Sequence, residues 1–338
     1  VKIATQTTSS FPQGIGSFVA ADVGGTHARV GLVRADHGTR LQIEHYRKYT
    51  CAEYPSLAAI LAEFVATLQG TACVDVVIAL PGYPLDGVVI NANLPWQVSL
   101  ADIRAQLGTQ AISIVNDFEA VAHAVPWIEP SETTPITNGS GAAIEAPVVV
   151  VGPGTGLGAA IRIPDRGRTL VLATEAGQAA FAPTSDLEIE ILRLLRRKNT
   201  HVSIEQVVSG PGLMNLYAAL CALCGETPTL RAPAEISEAA LIHPDSAAAQ
   251  ALHVFCGLMG SVVGDLVLIF GAHGGAYLAG GILPQIREFL LKSSFTQRFL
   301  DKGAMRTVLE RVPVRLIEHG QLGVIGAASW HLEHLRDM

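Results

Sequence analysis

Charge is scarce in this chain, and cysteine scarcer. Asp, Glu, Lys and Arg together make up 16% of the 338 residues, and the balance is acidic, a formal −7. Nonspecific nucleic-acid binding needs clustered Lys and Arg, so a nucleic-acid partner is not expected. The densest basic run, Arg193, Arg196, Arg197 and Lys198, falls at an expected helix end, where the helix dipole favours positive charge. Five cysteines, odd in number and scattered, make no disulfide framework and fit reduced thiols in the cytoplasm. Cys221-x-x-Cys224 lacks a second pair at ligand spacing, and His243, His253 and His273 stand apart. A metal site made only of protein ligands is therefore not expected. No charge-free apolar run reaches the length that spans a bilayer. Ala251 to Phe270 comes nearest, but it contains Asp265 and several glycines and reads as a buried helix. Val1 to Gly14 is polar and rich in Ser, Thr and Gln, without a basic region leading into an apolar one, and is given no targeting role. A cytoplasmic protein with no membrane partner is the expectation.

What is abundant is glycine, 33 residues, in a background that is 49% hydrophobic. That is a compact, turn-rich composition, long enough for two domains. Ser17 to Ala21 reads as a strand, with Val30 to Val33 and Leu41 to Tyr49 as its hairpin neighbours. Tyr54 to Leu68 has helical spacing. Val74 to Leu80 is a nearly all-apolar strand of the central kind. Gly87 to Ile90 and Ala111 to Val115 read as strands, and Leu100 to Leu107 and Phe118 to Ala124 as helices. Strands alternating with helices imply an α/β sandwich. Pro126 to Ala146, rich in Pro, Ser, Thr and Gly, reads as a loop between domains. The pattern then restarts with strands at Pro147 to Val151, Ala159 to Ile163 and Thr169 to Ala173, a weak internal repeat in pattern and not in identity. Asp186 to Arg197 is an expected helix, and the chain stays mostly helical to Arg311 apart from a strand at Ala276 to Ala279. Val312 to Ile317 and Leu322 to Leu335 are the expected last strand and helix. The expected domains are 1–125 completed by 321–338, and 126–320.

Two glycine-rich turns interrupt these strands. Asp22-Val-Gly-Gly-Thr-His-Ala-Arg29 follows the first strand, and Gly152-Pro-Gly-Thr-Gly-Leu-Gly158 follows the first strand of the second half. Small residues, a hydroxyl and several N–H groups at a sheet edge suit phosphate oxygens. Asp22 in the first turn can help hold Mg²⁺, directly or through water, with Gly24 and Gly25 admitting the phosphates and Thr26 adding a hydroxyl. Arg29 can meet a phosphate or a carboxylate. The second turn, Gly154, Thr155 and Gly156, lacks the Lys of a P-loop. Between the turns, Asn116-Asp117 follows a strand. Asp117 reads either as a helix N-cap or as the base that takes a proton from an alcohol in phosphoryl transfer. Glu175 and Glu205 can clamp neighbouring sugar hydroxyls or be surface charges. Asn93 can pair with the same polyol, and Trp96 can cover a sugar face or fill a core.

Six motifs then carry a resemblance over nearly the whole chain, from Val19 onward: Asp22 to Arg29, Asn93-Leu-Pro-Trp96, Asn116-Asp-Phe118, Gly152 to Gly158, Ser209-Gly-Pro-Gly-Leu-Met-Asn-Leu-Tyr217 and Ala279-Gly-Gly-Ile282. The chain resembles the bacterial glucokinases, ATP-dependent hexose kinases of the hexokinase and actin-like ATPase superfamily. The resemblance implies an α/β two-domain actin-like, ribonuclease H-like fold with a central cleft that closes over both substrates. It implies Asp117 as the base for the sugar 6-hydroxyl and Asn93, Asn116, Asp117, Glu175 and Glu205 as sugar ligands. It implies Asp22 to Thr26 and Gly154 to Gly156 as the seat of phosphates and Mg²⁺, with Gly210, Gly212, Gly280 and Gly281 near the nucleotide. ATP, Mg²⁺ and a homodimer are the implied cofactors and assembly. One departure stands out. The family's usual run after the clamping Glu is Gly-Gly-His; here it is Ala176-Gly177-Gln178. Gln178 can still donate and accept, but cannot become cationic. Glucose or a close hexose is the expected acceptor, with a kinase for another hexose or a catalytically weak sugar-binding regulator as the alternatives.

Overall fold

A computed structural model of the chain describes residues 16–36, 40–68, 75–85, 88–90, 94–109, 111–139, 145–165 and 168–335. In chain order the strands and helices are β1 (Phe18–Val23), β2 (His27–Asp36), β3 (Arg40–Thr50), α1 (Leu57–Ala66), β4 (Asp75–Leu80), β5 (Tyr83–Leu85), β6 (Val88–Ile90), β7 (Val98–Ser99), α2 (Leu100–Leu107), β8 (Ala111–Asn116) and α3 (Asp117–Ala124). There follow β9 (Thr133–Pro135), β10 (Val148–Pro153), β11 (Leu157–Asp165), β12 (Arg168–Thr174), α4 (Asp186–Arg196), α5 (Gly210–Cys224), α6 (Pro233–Ile242) and α7 (Ala247–Phe270). The last are β13 (Gly275–Leu278), α8 (Arg287–Lys292), α9 (Phe295–Leu300), α10 (Arg306–Leu309), β14 (Val314–Ile317) and α11 (Leu322–Leu335). They group into two compact units. One comprises Val1–Ile128, Pro164–Val171 and His319–Met338; the other comprises Glu129–Ile163 and Leu172–Glu318.

The first unit is built on a five-stranded sheet of order β3-β2-β1-β4-β8. β1, β2 and β3 are antiparallel neighbours, whereas β1, β4 and β8 run parallel. Alternation along the central strands sends successive residues to opposite faces. Val19, Ala21, Val76, Ile78 and Leu80 meet Leu57, Ile60, Leu61 and Phe64 of α1 and Ile103 of α2 on one face. Phe18, Ala20, Val77 and Ala79 meet Ala120 of α3 and Val324, Ala327, Ala328 and Leu332 of α11 on the other. The second face is lined by small residues, so its helices come in close. A Cβ added at Gly326 of α11 would lie 1.8 Å from the Ala120 carbonyl oxygen, so only glycine lets α11 cross α3 there.

The second unit repeats this plan. Its sheet has the order β12-β11-β10-β13-β14-β9, with β10 and β11 antiparallel and β10, β13 and β14 parallel. The repeat glimpsed in the sequence is thus a shared topology: a meander, then parallel strands added beside its first strand. The core of this unit gathers β10, β11, α5 and α7. α7 is the one helix among the described residues with the length and apolarity to cross a membrane, and 72% of its most apolar window is buried inside the fold. It is a core helix, as Ala251 to Phe270 read.

Three expectations shift. The Pro126 to Ala146 segment contains β9, which adds to β14 as an antiparallel edge strand. α3 starts at Asp117, one residue before the expected Phe118. β5 and β7, three and two residues long, join β6 in a small separate sheet; strands so short have no periodicity to read.

Candidate active site

In the first unit, β1 ends in Asp22 and the chain turns back into β2 through Gly24, Gly25 and Thr26. The Gly24 N–H donates to the His27 carbonyl (3.0 Å) and closes the turn. Cys51, just past β3, fastens it from below: its N–H donates to the Thr26 carbonyl (2.9 Å) and its Sγ to the Gly24 carbonyl (3.4 Å). Burial pushes the Cys51 thiol pKa up, which keeps the sulfur protonated and a donor. Trp96 Nε1 donates in turn to the Cys51 carbonyl at 3.2 Å, and the ring packs on the core of the unit. The outer side of the turn is open, for a Cβ added at Gly24 would meet only the His27 carbonyl, at 3.8 Å.

Asp22 stands opposite Arg29 in the β1–β2 register, and Arg29 Nη1 donates to Asp22 Oδ2 at 3.1 Å. The Asp22 side chain is 21% exposed. Burial pushes its pKa above the ordinary value, and Arg29 offsets part of the rise. A Cβ added at Gly323 would lie 2.3 Å from Asp22 Cγ, so the carboxylate rests against the first turn of α11, at the helix's positive end. A desolvated hard oxygen donor with one guanidinium beside it suits Mg²⁺, which takes one or two protein carboxylates and completes its shell with phosphates and water.

The parallel register brings the second group to the same edge. Asp22 is level with Ala79, and Ala79 with Val115. Asn116 and Asp117 therefore leave β8 at the same end of the sheet as Asp22, with β4 between the two strands, at the carboxyl edge where open α/β sheets place ligands. Asn116 Oδ1 accepts from the N–H groups of Phe118 (3.0 Å) and Glu119 (3.1 Å). Asn116 is thus the cap of α3, and Asp117 is its first residue, with Oδ1 accepting from Phe118 N–H at 2.9 Å. The N-cap reading of Asp117 thus passes to Asn116, while Asp117 Oδ1 shares the Phe118 N–H with it. Asn93 lies outside the described residues.

In the second unit, β10 and β11 join through Gly154, Thr155 and Gly156. The Gly154 N–H donates to the Gly156 carbonyl (2.8 Å), and the Gly210 N–H, at the start of α5, donates to the Gly154 carbonyl (2.8 Å). Ser209 caps α5 by accepting from Gly212 N–H (2.9 Å), and its hydroxyl donates to the Glu205 carbonyl (2.7 Å). A Cβ at Gly212 would lie 2.7 Å from the Val207 carbonyl carbon, which shows how tightly this corner is folded. β13 runs beside β10, so Gly280 and Gly281 follow the adjacent strand end. Gly280 has φ +94° and sits where a Cβ would be 2.7 Å from the Pro153 carbonyl oxygen. Nothing lies within 4 Å of a Cβ placed at Gly154 or Gly281. The Glu205 carboxylate lies on the turn itself: Oε2 accepts from Leu157 N–H (2.9 Å) and Oε1 from Gln178 Nε2 (3.3 Å). Glu175 is exposed and precedes the short turn Ala176–Gln178, its carbonyl accepting from Gln178 N–H at 2.9 Å.

The expected residues thus gather into two clusters. Asp22, Gly24, Gly25, Thr26, Asn116 and Asp117 share one sheet edge in the first unit. Gly154, Thr155, Gly156, Gln178, Glu205, Gly210, Gly212 and Gly280 surround one turn in the second. The amides of Gly24 and Gly154 close their own turns, and neither is available to a ligand while the turn stays closed. Sequence reading missed Cys51 and Gly323, and gave Ser209 no role beyond membership of its motif. Cys51 read only as one of five scattered thiols, and no local signal marks Gly323 as the neighbour of Asp22.

Comparison with known proteins agrees over most of the chain. Residues 19–334 match the Glucokinase family model. A glucokinase-like protein of Xylella fastidiosa is 51% identical over 321 residues, covering 94% of this chain and 95% of that protein. The glucokinase of Nitrobacter hamburgensis is 37% identical over 317 residues, covering 93% and 97%. The crystal structure of a glucokinase from an Antarctic psychrotroph superposes with a TM-score of 0.83 at 33% identity, covering 96% of this chain and 100% of that one. The fold is the α/β actin-like, ribonuclease H-like ATPase fold with mixed sheets.

Proposed function

Because the chain belongs to the glucokinase family, we propose that it is an ATP-dependent hexose kinase that phosphorylates the 6-hydroxyl of glucose. The observation that carries this reading is the shared edge of β1, β4 and β8. That edge carries a carboxylate suited to Mg²⁺, Asp22, with a glycine turn at the end of β1, and a second carboxylate, Asp117, just past the end of β8, with β4 between them. As the sugar O6 attacks the γ-phosphorus, Asp117 takes the hydroxyl proton, the bond to the β-phosphate oxygen breaks, and ADP leaves. The base need not be strong, because phosphoryl transfer depends mainly on positioning and charge stabilisation. Mg²⁺, held by Asp22 directly or through water, supplies charge neutralisation to the phosphate oxygens when bound. Asn93, Asn116, Glu175, Gln178 and Glu205 hold the sugar. Gly24, Gly25, Thr26, Gly154, Thr155, Gly156, Gly210, Gly212, Gly280 and Gly281 border the phosphates and nucleotide. A cytoplasmic homodimer goes with this reading, and sedimentation tests the assembly.

Replacing Asp117 by Ala is expected to lower turnover by about 10²–10⁴-fold, the range general-base catalysis supplies, while sugar and nucleotide still bind. A mutant that kept most of its turnover would overturn the assignment. A coupled assay across glucose, mannose, fructose, glucosamine, N-acetylglucosamine and N-acetylmannosamine identifies the acceptor; activity confined to another hexose would trace to Gln178. A second reading, a sugar-binding regulator with weak catalysis, rests on Ala176-Gly177-Gln178. Calorimetric glucose binding with no transfer to any hexose under Mg-ATP would favour it.

A further inference from the structure

Around the second glycine turn the hydrogen bonds form a circuit. Glu205 Oε2 holds Leu157 N–H, the first residue after the turn. The Gly154 carbonyl, at the start of the turn, holds Gly210 N–H. Ser209, next to Gly210, returns its hydroxyl to the Glu205 carbonyl at 2.7 Å. The turn is therefore fastened at both ends to the segment 205–210. The fit at the carboxylate is close. A Cβ added at Gly156 would lie 2.5 Å from Glu205 Oε2, so glycine is what lets the carboxylate reach the turn.

The other oxygen of Glu205 faces the opposite way. Oε1 takes the Gln178 amide at 3.3 Å, and the Gln178 carbonyl is tied to His201 Nε2 at 2.9 Å. Backbone pairs, Phe181 N–H to the Val202 carbonyl (2.9 Å) and Ile204 N–H to the Ala179 carbonyl (2.8 Å), hold the 178–181 and 201–204 segments side by side. Gly177 lies beneath, where a Cβ would be 2.6 Å from the Leu157 carbonyl oxygen. The Gln178 backbone is thus held by contacts that do not involve the sugar, and the Glu205 carboxylate joins its side-chain amide to the turn.

We propose that Glu205 is a positioning residue for the donor-phosphate turn as well as a sugar ligand, and that Gln178 sets that turn's geometry through Glu205. The proposal deepens the kinase reading and rests on it. Occupancy of the acceptor side and the shape of the phosphate turn are then coupled through the two oxygens of one side chain. Position 178, where this chain departs from the family pattern, controls nucleotide affinity and not sugar choice alone.

The test uses the full-length protein without sugar. A non-hydrolysable ATP analogue with Mg²⁺ is titrated by calorimetry against wild type, Glu205→Ala, Gln178→Ala and Gln178→His. Hydrogen exchange of the peptide containing Leu157 is followed in the same proteins without nucleotide. Glu205→Ala is expected to weaken analogue binding about tenfold, the lower end of what a hydrogen bond to a charged group is worth, and to speed exchange at Leu157. Gln178→Ala should show both effects at about threefold, and Gln178→His, which keeps a donor, should restore them. Gln178 is exposed, so its variants keep the test informative if Glu205→Ala fails to fold. Wild-type analogue affinity and Leu157 protection in the Gln178→Ala protein would overturn the proposal alone. Absence of analogue binding to the wild type would overturn the kinase reading, and the proposal with it.

Discussion

The two glycine turns close hairpins at equivalent places in their sheets, yet they are fastened in opposite ways. The turn of the first unit contains its own charge. Asp22 and Arg29 are seven residues apart and face each other across the β1–β2 register, and the outside brace, Cys51, is neutral. The turn of the second unit has no charged residue, and its carboxylate arrives from Glu205, 48 residues further on. On the proposed reading Asp22 serves a cation, and a carboxylate in that role must stay close to its turn and partly desolvated, so it belongs to the strand that feeds the turn. A turn with no charged residue of its own has nothing ionic within it to hold its shape. Its brace can come from anywhere in the fold that lends an acceptor.

The largest effect should come from breaking the first turn's charge. Asp22→Asn is expected to lower kcat/KM for phosphoryl transfer by about 10²–10³-fold, the scale of one lost charge-stabilising group, while stabilising the free protein. Because the folded Asp22 carboxyl lies above its ordinary 3.8, the folded state binds this proton more tightly than the unfolded chain does. The stability it contributes is full below that value and is lost as pH rises through the raised one. The melting temperature of the variant relative to wild type should therefore climb over that interval and then level off. A gap between the two proteins that is flat with pH would show that Asp22 is not desolvated.

Next come the glycines of the second turn, which separate bracing from ligand approach. Gly156→Ala pushes a methyl group into the Glu205 carboxylate, and nucleotide affinity and melting temperature should both fall, by about 1–3 kcal/mol in stability. Gly154→Ala meets open space in the free protein, so the melting temperature should hold while nucleotide KM rises. Equal behaviour of the two variants would erase the distinction between the two sides of the turn.

The smallest effect belongs to the neutral brace. Cys51→Ser keeps a donor for the Gly24 carbonyl and should leave activity within about twofold, whereas Cys51→Ala loses it and should cost about 1 kcal/mol of stability with a modest rise in nucleotide KM. Thermal melts and steady-state kinetics on the pair decide this. Identical Ser and Ala variants would show that the Sγ contact does not brace the turn.

Much of the candidate site was legible because its signals are local. Glycines flanked by apolar strands mark a hairpin turn at a sheet edge whatever the rest of the chain does, and Asp22 and Asn116-Asp117 stand at strand ends that hydrophobic runs define. The assignment of the α3 cap was not legible. Asn116 and Asp117 are both good caps, and only the backbone of the strand-to-helix junction chooses between them. Cys51 offered no pattern at all, since a brace is defined by what it touches.

From the sequence alone came the alternation of strands and helices, both glycine turns, the two carboxylates of the first unit and the family that their combination marks. These depend on interactions within a few residues, where side-chain type and chain geometry are coupled directly. Tertiary structure decided which residues fasten each turn, that Gly323 admits Asp22 to the start of α11, and that Glu205 divides its two oxygens between Leu157 and Gln178. Those contacts join residues from 25 to about 300 positions apart, and such pairs meet only because the two sheets and their helices bury apolar faces that have no direct part in the chemistry.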